Sequence, residues 1–260
     1  MRLDNELVRR NLFNSRNKSQ EAIRSGIVFC NNKQILKPSF DVCEQDVIEI
    51  RGEVLKYVSR AGLKLEKAVQ VFNINFHNKT MLDIGSSTGG FTDCALQMGV
   101  EKVVAVDVGS DVMDKVLREN PKIELYENTD FRLIDLDILK NVNLATIDVS
   151  FISVTKLIDK LNQLDKLNEL VVLIKPQFEC GKEIADKYKG IVNNKQVHKT
   201  VISNVLSAFK SSGLNCQGLD FSPIKGGSGN IEYISYFRKD KPIKLFNIDS
   251  VIESAFKNEF

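Results

Sequence analysis

Residues 81–93 constrain the fold more than any other part of the chain, because three glycines closely follow a short apolar stretch. Their sequence is Met-Leu-Asp-Ile-Gly-Ser-Ser-Thr-Gly-Gly-Phe-Thr-Asp, which predicts a buried strand, a sharp turn and a helix starting at residues 88–91. Glycine permits a tight turn and a close approach of the backbone to a ligand. The free N–H groups of the helix start would face that ligand. The segment therefore predicts a nucleotide-binding turn at the carboxyl end of a parallel strand.

Two acids flank this turn and narrow the choice of ligand. The Gly-x-x-x-Gly-Gly spacing fits a dinucleotide site poorly, and no Lys-Ser or Lys-Thr follows the glycines, which excludes a P-loop. Asp83, before the turn, suits a cation such as the amino group of the methionine part of S-adenosyl-L-methionine. Asp107 ends the next apolar run, where it would accept hydrogen bonds from ribose hydroxyls. The pattern favours S-adenosyl-L-methionine, and a turn that merely joins a strand to a helix is the simpler alternative.

The chain alternates between strand and helix patterns from residue 79 onward. Strands are predicted at 80–84, 102–107, 122–126, 143–149, 169–175, 215–221 and 230–238. Helices are predicted at 59–76, 88–98, 111–119, 131–140, 153–166, 196–212 and 248–258. This alternation predicts an α/β domain with a doubly wound, parallel sheet. The loop at 182–195 carries no motif that we can assign.

Positive charge is concentrated at the N-terminus, although the net charge of the whole chain is only +2. Residues 1–37 contain eight lysines and arginines against three acids, which gives this segment a net charge of +5. A basic N-terminal module suggests an anionic partner, nucleic acid first, and a solvated helix surface is the alternative.

Cysteine and histidine usage points to a reducing compartment and no metal. The five cysteines are scattered, and there are only two histidines, so neither a disulfide framework nor a zinc site is indicated. The start has no signal-peptide pattern, and no apolar run approaches the ~18 residues that cross a membrane. We expect a cytoplasmic protein without membrane contact, and we favour a monomer.

Residues 1–50 are predicted to form a small α+β module. Helical spacing of Leu3, Leu7 and Leu12 indicates a first helix, and a second starts at a cap provided by Ser15 or Asn17. Strands at 27–30 and 47–50 follow, and residues 51–58 read as a short linker to a domain over 59–260.

The N-terminal module resembles an S4 RNA-binding domain. The similarity runs through the pattern Arg-Leu-Asp…Leu-Val…Ser-Arg…Ala-Ile…Gly-x-Val…Asn…Lys-Pro-Ser…Val…Asp-Val-Ile. S4 domains present basic side chains to structured RNA, reading its shape and phosphates. The resemblance implies five RNA contacts: Arg2, Arg16, Lys18, Arg24 and Arg60.

Four ionisable residues occupy positions that a doubly wound sheet would bring together. Lys64 lies on the helix before the first strand, and Asp148 and Lys175 end later strands. Glu232 starts the last strand. Because burying a charge without a partner is costly, two lysines and two carboxylates at one edge could satisfy each other. Ordinary ion pairs near a sheet edge are the alternative.

Methylation of a weakly acidic hydroxyl would need such a set. Methyl transfer from a sulfonium is an in-line displacement, so positioning supplies much of the rate. A lysine ammonium is almost wholly protonated at neutral pH. Lys175 therefore either gives up its proton and acts as a base or stays cationic and stabilises the developing alkoxide, and the sequence leaves both open. Asp148 and Glu232 would hold the lysines in place.

Motifs over nearly the whole chain resemble those of the TlyA-type hemolysin and ribosomal RNA 2′-O-methyltransferase family, which is related to the FtsJ group. They are Arg-Leu-Asp, Tyr-Val-Ser-Arg-Ala-Gly-Leu-Lys-Leu, Asp-Ile-Gly-Ser-Ser-Thr-Gly-Gly-Phe-Thr-Asp, Val-Asp-Val-Gly, Thr-Asp-Phe-Arg, Asp-Val-Ser-Phe-Ile-Ser, Ile-Lys-Pro-Gln-Phe-Glu and Ser-Pro-Ile-Lys-Gly-Gly-Ser-Gly-Asn-Ile-Glu-Tyr. The resemblance implies a Rossmann-like class I methyltransferase sheet and a Lys-Asp-Lys-Glu tetrad at Lys64, Asp148, Lys175 and Glu232.

The same resemblance implies a substrate and a cofactor site. The target is a cytidine ribose in ribosomal RNA, and family members differ in whether they modify one or both ribosomal subunits. The implied contacts to S-adenosyl-L-methionine are Asp83, Gly85, Ser86, Ser87, Thr88, Gly89, Gly90, Phe91, Asp107 at the ribose, and Asp130 with Phe131 at the adenine.

Two functions of other classes stay open. One is a ribosome-assembly factor that binds through its S4 domain without turnover, and the complete set of four ionisable residues argues against it. The other is a pore-forming cytolysin, which the family's hemolysin label suggests. The missing signal peptide and the missing apolar run argue against that function.

Overall fold

The computed structural model describes residues 1–13, 15–52 and 56–258. The chain divides into two compact units, Met1–Arg60 and Ala61–Phe260. The second unit thus begins two residues later than the predicted start at residue 59. The predicted linker at 51–58 lies partly outside the described residues.

The first unit combines two helices with a small antiparallel sheet. The helices are α1 (Leu3–Arg9) and α2 (Arg16–Arg24), and the strands are β1 (Val28–Cys30), β2 (Lys33–Gln34) and β3 (Ile48–Ile50), in the order β2-β1-β3. Leu3, Leu7 and Ile23 are fully buried in its core. Ser15 caps α2 by accepting the N–H of Lys18, so of the two predicted caps Ser15 is the observed one.

The described residues of the second unit form a seven-stranded sheet. Its strands are β4 (Thr80–Ile84), β5 (Lys102–Val106), β6 (Ile123–Tyr126), β7 (Leu144–Ile147), β8 (Glu169–Ile174), β9 (Asn215–Phe221) and β10 (Tyr233–Arg238). The strand order is β6-β5-β4-β7-β8-β10-β9. The chain leaves β4 toward β5 on one side and later returns to β7 on the other, which makes the end of β4 the switch point where such sheets bind ligands.

Helices connect these strands and cover the sheet. They are α3 (Gly62–Phe72), α4 (Gly90–Gln97), α5 (Lys115–Arg118), α6 (Leu136–Leu139), α7 (Ile158–Leu161), α8 (Pro176–Glu179), α9 (Lys182–Lys187), α10 (Lys195–Ser211) and α11 (Ile248–Lys257). Helix α11 packs against α10 and β9 and buries Ile252, which identifies the partner of the predicted C-terminal helix.

The main core joins the sheet to α10 and α11. All six residues of β8 are buried, as expected for a central strand covered on both faces. The rings of Phe209 and Phe237 stack with centroids 4.6 Å apart. Burial of each such side chain contributes about 1.5–3 kcal/mol.

The sheet is mixed, whereas the alternation of elements predicted a parallel one. Strand β10 runs antiparallel to both β8 and β9. Only residues 222–232, without a helix, join β9 to β10, and a parallel neighbour would need a longer crossover. The predicted helices at 131–140 and 153–166 are each a 3₁₀ turn followed by one short α-helix.

Candidate active site

The turn after β4 adopts the left-handed backbone conformations that its glycines permit. Gly85 and Gly89 have φ values of +82° and +90°, and Ser87 between them has a φ of +47°. A Cβ atom on Gly85 would lie 2.6 Å from the backbone oxygen of Asp148. Glycine is therefore required where this turn meets the chain that follows β7.

Asp107 joins this turn to the loop after β5. Its Oδ2 accepts the backbone N–H of Ser87 at 2.8 Å, and its Oδ1 accepts that of Gly109 at 2.7 Å. One carboxylate thus fixes two loops at the carboxyl ends of neighbouring parallel strands.

An open cavity of about 650 Å³ lies at these strand ends. Five of the predicted cofactor residues line it: Gly85, Ser87, Asp107, Asp130 and Phe131. The volume falls within the ~300–1,000 Å³ of small-molecule sites. The adjacent Ser86 hydroxyl is buried without a hydrogen-bond partner among the described residues. A glycine turn, a carboxylate and an apolar wall fit a nucleoside cofactor, and these residues could hold one.

Asp83, the predicted contact for the cofactor cation, is not among the residues that line the cavity. Its side chain is fully buried, and its carboxylate accepts hydrogen bonds from Thr92 at 2.6 Å and Thr146 at 2.9 Å. Burial raises the pKa of Asp83 to about 6, although both threonine hydroxyls act in the opposite direction. Strand β4 directs the side chain of Asp83 into the interior, where it lies beneath the turn and stabilises it.

The remaining predicted cofactor residues shape the turn and the start of α4. They are Ser86, Thr88, Gly89, Gly90 and Phe91, and none of them is among the residues lining the cavity. Gly89 is the N-cap of α4 in a left-handed conformation, and a Cβ atom there would collide with Leu117.

The four predicted tetrad residues lie together. Lys64 comes from α3, Asp148 and Lys175 directly follow β7 and β8, and Glu232 directly precedes β10. The antiparallel direction of β10 explains why a residue at its start reaches the carboxyl ends of the parallel strands. Tyr233 pairs with Ile174, which sets Glu232 opposite Lys175.

These side chains form one ion network. Lys64 Nζ lies 2.6 Å from Glu232 Oε2 and 3.8 Å from Asp148 Oδ2. Lys175 Nζ lies 2.6 Å from Asp148 Oδ1 and also donates to the Ser150 hydroxyl at 3.1 Å. Burial alone would raise the pKa of Asp148, but Lys64 and Lys175 outweigh it and lower that pKa. Asp148 also lines the cavity, so the network and the cavity share one wall.

The loop that follows Asp148 contributes an aromatic residue that the sequence interpretation missed. Phe151 has a φ of +65°, its side chain is 91% exposed, and it lines the cavity. Its ring centroid lies 5.0 Å from that of Phe178. The Asp-Val-Ser-Phe-Ile-Ser motif contained this residue, but only the structure reveals that a large apolar side chain is left in solvent there.

The predicted RNA contacts lie in the first unit and differ in their partners. Arg2 and Arg16 both bond to the buried carboxylate of Asp4. Arg60 lies 3.5 Å from Glu21. The other two are Lys18, which is half-buried, and Arg24, which is exposed.

The part of the chain that the structure describes contains no cluster of three or more His, Cys, Asp or Glu residues able to hold a metal ion. Among the same residues, no helix has both the length and the apolar character needed to cross a membrane.

The fold and the site together define a methyltransferase. Residues 57–239 match the FtsJ-like methyltransferase family, and residues 1–48 match the S4 domain. The chain belongs to the FtsJ-like methyltransferases and carries an S4 domain at its N-terminus, which confirms the family resemblance of its motifs.

Relatives match the chain over almost its full length. YqxC of Bacillus subtilis is 44% identical over 98% of this chain and 94% of its own. The 23S rRNA (cytidine-2′-O)-methyltransferase TlyA of Campylobacter jejuni is 36% identical, over 87% of this chain and 95% of its own. A solved structure from Streptococcus thermophilus, named as a hemolysin, superposes with a TM-score of 0.76 at 36% identity and covers 99% of this chain and 96% of its own.

Proposed function

We propose that this protein transfers a methyl group from S-adenosyl-L-methionine to the 2′-hydroxyl of a cytidine in ribosomal RNA. The observation that carries the proposal is the ion network of Lys64, Asp148, Lys175 and Glu232, which shares Asp148 with the wall of the cavity. The name of the Campylobacter jejuni relative supports the choice of a cytidine ribose.

The cavity residues would hold the cofactor at the switch point of the sheet. Gly85 and Ser87 would meet it with the backbone, Asp107 would face its ribose, and Asp130 with Phe131 would lie at its adenine. When bound, the cofactor supplies an electrophilic methyl group on a sulfonium. The S4 domain would provide the phosphate contacts that bring ribosomal RNA to the enzyme.

The two lysines have unequal surroundings, which suggests unequal roles. Lys64 lies beside two carboxylates, whereas Lys175 lies beside one carboxylate and a neutral hydroxyl. We assign Lys175 to the reacting 2′-oxygen, where it accepts the proton or stabilises the developing negative charge. Asp148 holds Lys175 in place, and Lys64 links Asp148 to Glu232.

Methyl transfer to ribosomal RNA by purified protein tests this function. Loss of a group that acts in the transition state lowers rates by about 10²–10⁴-fold, and we expect a loss of this size for Lys175→Ala, with S-adenosyl-L-methionine binding retained in calorimetry. Lys175→Arg separates the two roles, because arginine keeps the charge but does not give up its proton.

Lys79→Met is the matched control. Lys79 forms a 2.7 Å ion pair with Glu169. Glu169 begins β8 and Lys175 follows it, so the two residues lie at opposite ends of the same strand. Full transfer by Lys175→Ala would refute the assignment of the network. Tight binding of ribosomal subunits without any methylated product in the wild type would instead favour an assembly factor.

A further inference from the structure

Helix α1 carries a buried carboxylate that neither the cavity nor the ion network uses. Asp4 is fully buried in the first turn of the helix. Its Oδ1 accepts from Arg2 Nε at 3.0 Å, and its Oδ2 accepts from Arg2 Nη2 at 2.9 Å, Arg16 Nε at 3.0 Å and Gln20 Nε2 at 2.7 Å. These donors hold the pKa of Asp4 well below its usual range.

The two guanidinium groups are held close together by this shared acceptor. Because Arg2 Nη2 and Arg16 Nε bond to the same oxygen, these nitrogens lie within about 6 Å of each other. The side chains of Arg2 and Arg16 remain 42% and 52% exposed. An arginine has five N–H donors, so both keep donors that Asp4 does not use. The three charged groups carry a net charge of +1.

A second acidic residue on α1 shows a different arrangement. Glu6 binds Arg9 and Arg10, but Arg10 also donates to the carbonyl oxygens of Cys43, Glu44 and Asp46. Arg10 is therefore committed to the fold of the module. Within the described part of the chain, neither the Arg2 nor the Arg16 guanidinium donates to a main-chain carbonyl.

We propose that Asp4 is a positioning residue for RNA binding, which holds Arg2 and Arg16 as a rigid pair that receives one backbone phosphate. The identity of the ligand rests on the proposed function, since RNA supplies the phosphate. Planar guanidinium groups match phosphate oxygens in bidentate geometry. Fixing them in advance removes the cost of ordering two flexible side chains on binding.

A positioning role for Asp4 and the effect of charge alone predict opposite changes in RNA affinity when the carboxylate is removed. Asp4→Asn removes a negative charge from a basic module, so long-range electrostatics would strengthen its binding to RNA. If Asp4 positions the arginines, the same change weakens binding, because an asparagine NH₂ group would face a guanidinium. Asp41→Asn is the matched control, since Asp41 is exposed and acts on Arg2 through its charge without accepting a hydrogen bond from that guanidinium.

The experiment measures the Kd of the full chain for a ribosomal RNA transcript over a series of salt concentrations. For Asp4→Asn we expect about tenfold weaker binding and a salt slope smaller by about one, and for Asp41→Asn unchanged or tighter binding. In an Arg2→Gln/Arg16→Gln background, Asp4→Asn should have no further effect, because the groups it positions are gone.

Unchanged or tighter binding by Asp4→Asn, or a full effect in the double-arginine background, overturns the proposal. If Asp4→Asn does not fold, Arg2→Lys keeps the charge but loses the bidentate contact to Asp4, and wild-type affinity for it would equally refute the idea. The proposed function fails separately, if wild-type protein binds RNA but produces no methylated ribose.

Discussion

Asp83 lies on β4 and Asp148 directly follows the neighbouring strand β7, and the two carboxyl groups have opposite electrostatic surroundings. Asp83 pairs in register with Thr146 on β7, and Asp148 lies two residues beyond that threonine. Asp83 is bonded to two neutral hydroxyls, and burial raises its pKa to about 6. Asp148 lies between two ammonium groups, which outweigh the effect of burial and lower its pKa.

The two carboxyl groups differ in how their surroundings favour ionisation. A buried carboxylate with neutral donors is stabilised less than one paired with cations, so Asp83 opposes ionisation while Asp148 favours it. The side chain of Asp83 faces the interior below the turn, whereas Asp148 lines the cavity. We infer that Asp148 serves the reaction and that Asp83 serves the turn.

The largest expected effect is on Asp148. Asp148→Asn removes the carboxylate shared by Lys64 and Lys175, so the two ammonium groups repel each other and Lys175 loses its position. We expect methyl transfer to fall by about 10²–10⁴-fold, the range for groups that act in the transition state. The rate is measured with saturating RNA and S-adenosyl-L-methionine.

Glu169→Gln is the control for this variant, because Glu169 also pairs with a lysine, the half-buried Lys79, but at the opposite end of the parallel strands. We expect its methyl transfer rate at the same temperature to match that of the wild type. Similar losses in both variants would indicate general destabilisation and would remove the distinction between Asp148 and Asp83.

Asp83→Asn tests the other half of the comparison. The folded-state pKa is raised, so the folded protein binds a proton more readily than the unfolded chain, and wild-type stability falls as the pH rises from about 4 through about 6. A pKa of about 6 instead of 3.8 corresponds to about 3 kcal/mol. Asparagine cannot ionise. The free energy of unfolding of the variant, relative to that of the wild type, should therefore increase by up to that amount between pH 4 and pH 7.

Urea unfolding of both proteins over this pH range gives the difference directly, since all other titrating groups are shared. Methyl transfer at pH 7.5 should change far less than in Asp148→Asn. Parallel stability curves would show that the pKa of Asp83 is not raised, which would contradict the electrostatic contrast with Asp148.

Much of this arrangement was predictable, because it depends on where apolar strands end. Asp148 and Lys175 follow strands that the sequence delimits clearly, and parallel strands bring their carboxyl ends to one edge. The buried strand β8 was predictable for the same reason, because the ends of its apolar segment are clear in the sequence. The family resemblance of the motifs added the assignment of Lys64, which no strand end identifies.

The hydrogen-bond partners of Asp83 were not predictable, because tertiary packing brings them together. Thr92 is nine residues away in sequence and Thr146 is 63 residues away. Nothing in the sequence around either threonine indicates that its hydroxyl bonds to a residue of β4. The direction of β10 was missed as well. The residue pattern of a strand does not show in which direction the strand runs. The short, helix-free connection over residues 222–232 explains the antiparallel direction of β10.

The smallest expected effect concerns the hydroxyl that links the two strands. Thr146→Val keeps the shape of the side chain but removes the 2.9 Å hydrogen bond to Asp83. A hydrogen bond to a charged group is worth about 1.5–3 kcal/mol and one to a neutral group about 1 kcal/mol. Thr146→Val should therefore cost more stability at pH 7.5, where Asp83 is ionised, than at pH 5, where it is mostly protonated.

Urea unfolding at the two pH values measures this difference, and Ser235→Ala provides the control. The Ser235 hydroxyl is also buried in the sheet, but it donates to the neutral carbonyl of Val172 at 2.9 Å. Its removal should cost the same at both pH values. If Thr146→Val behaved in the same way as Ser235→Ala, Asp83 would not ionise between pH 5 and pH 7.5, and its raised pKa would have to lie outside that window.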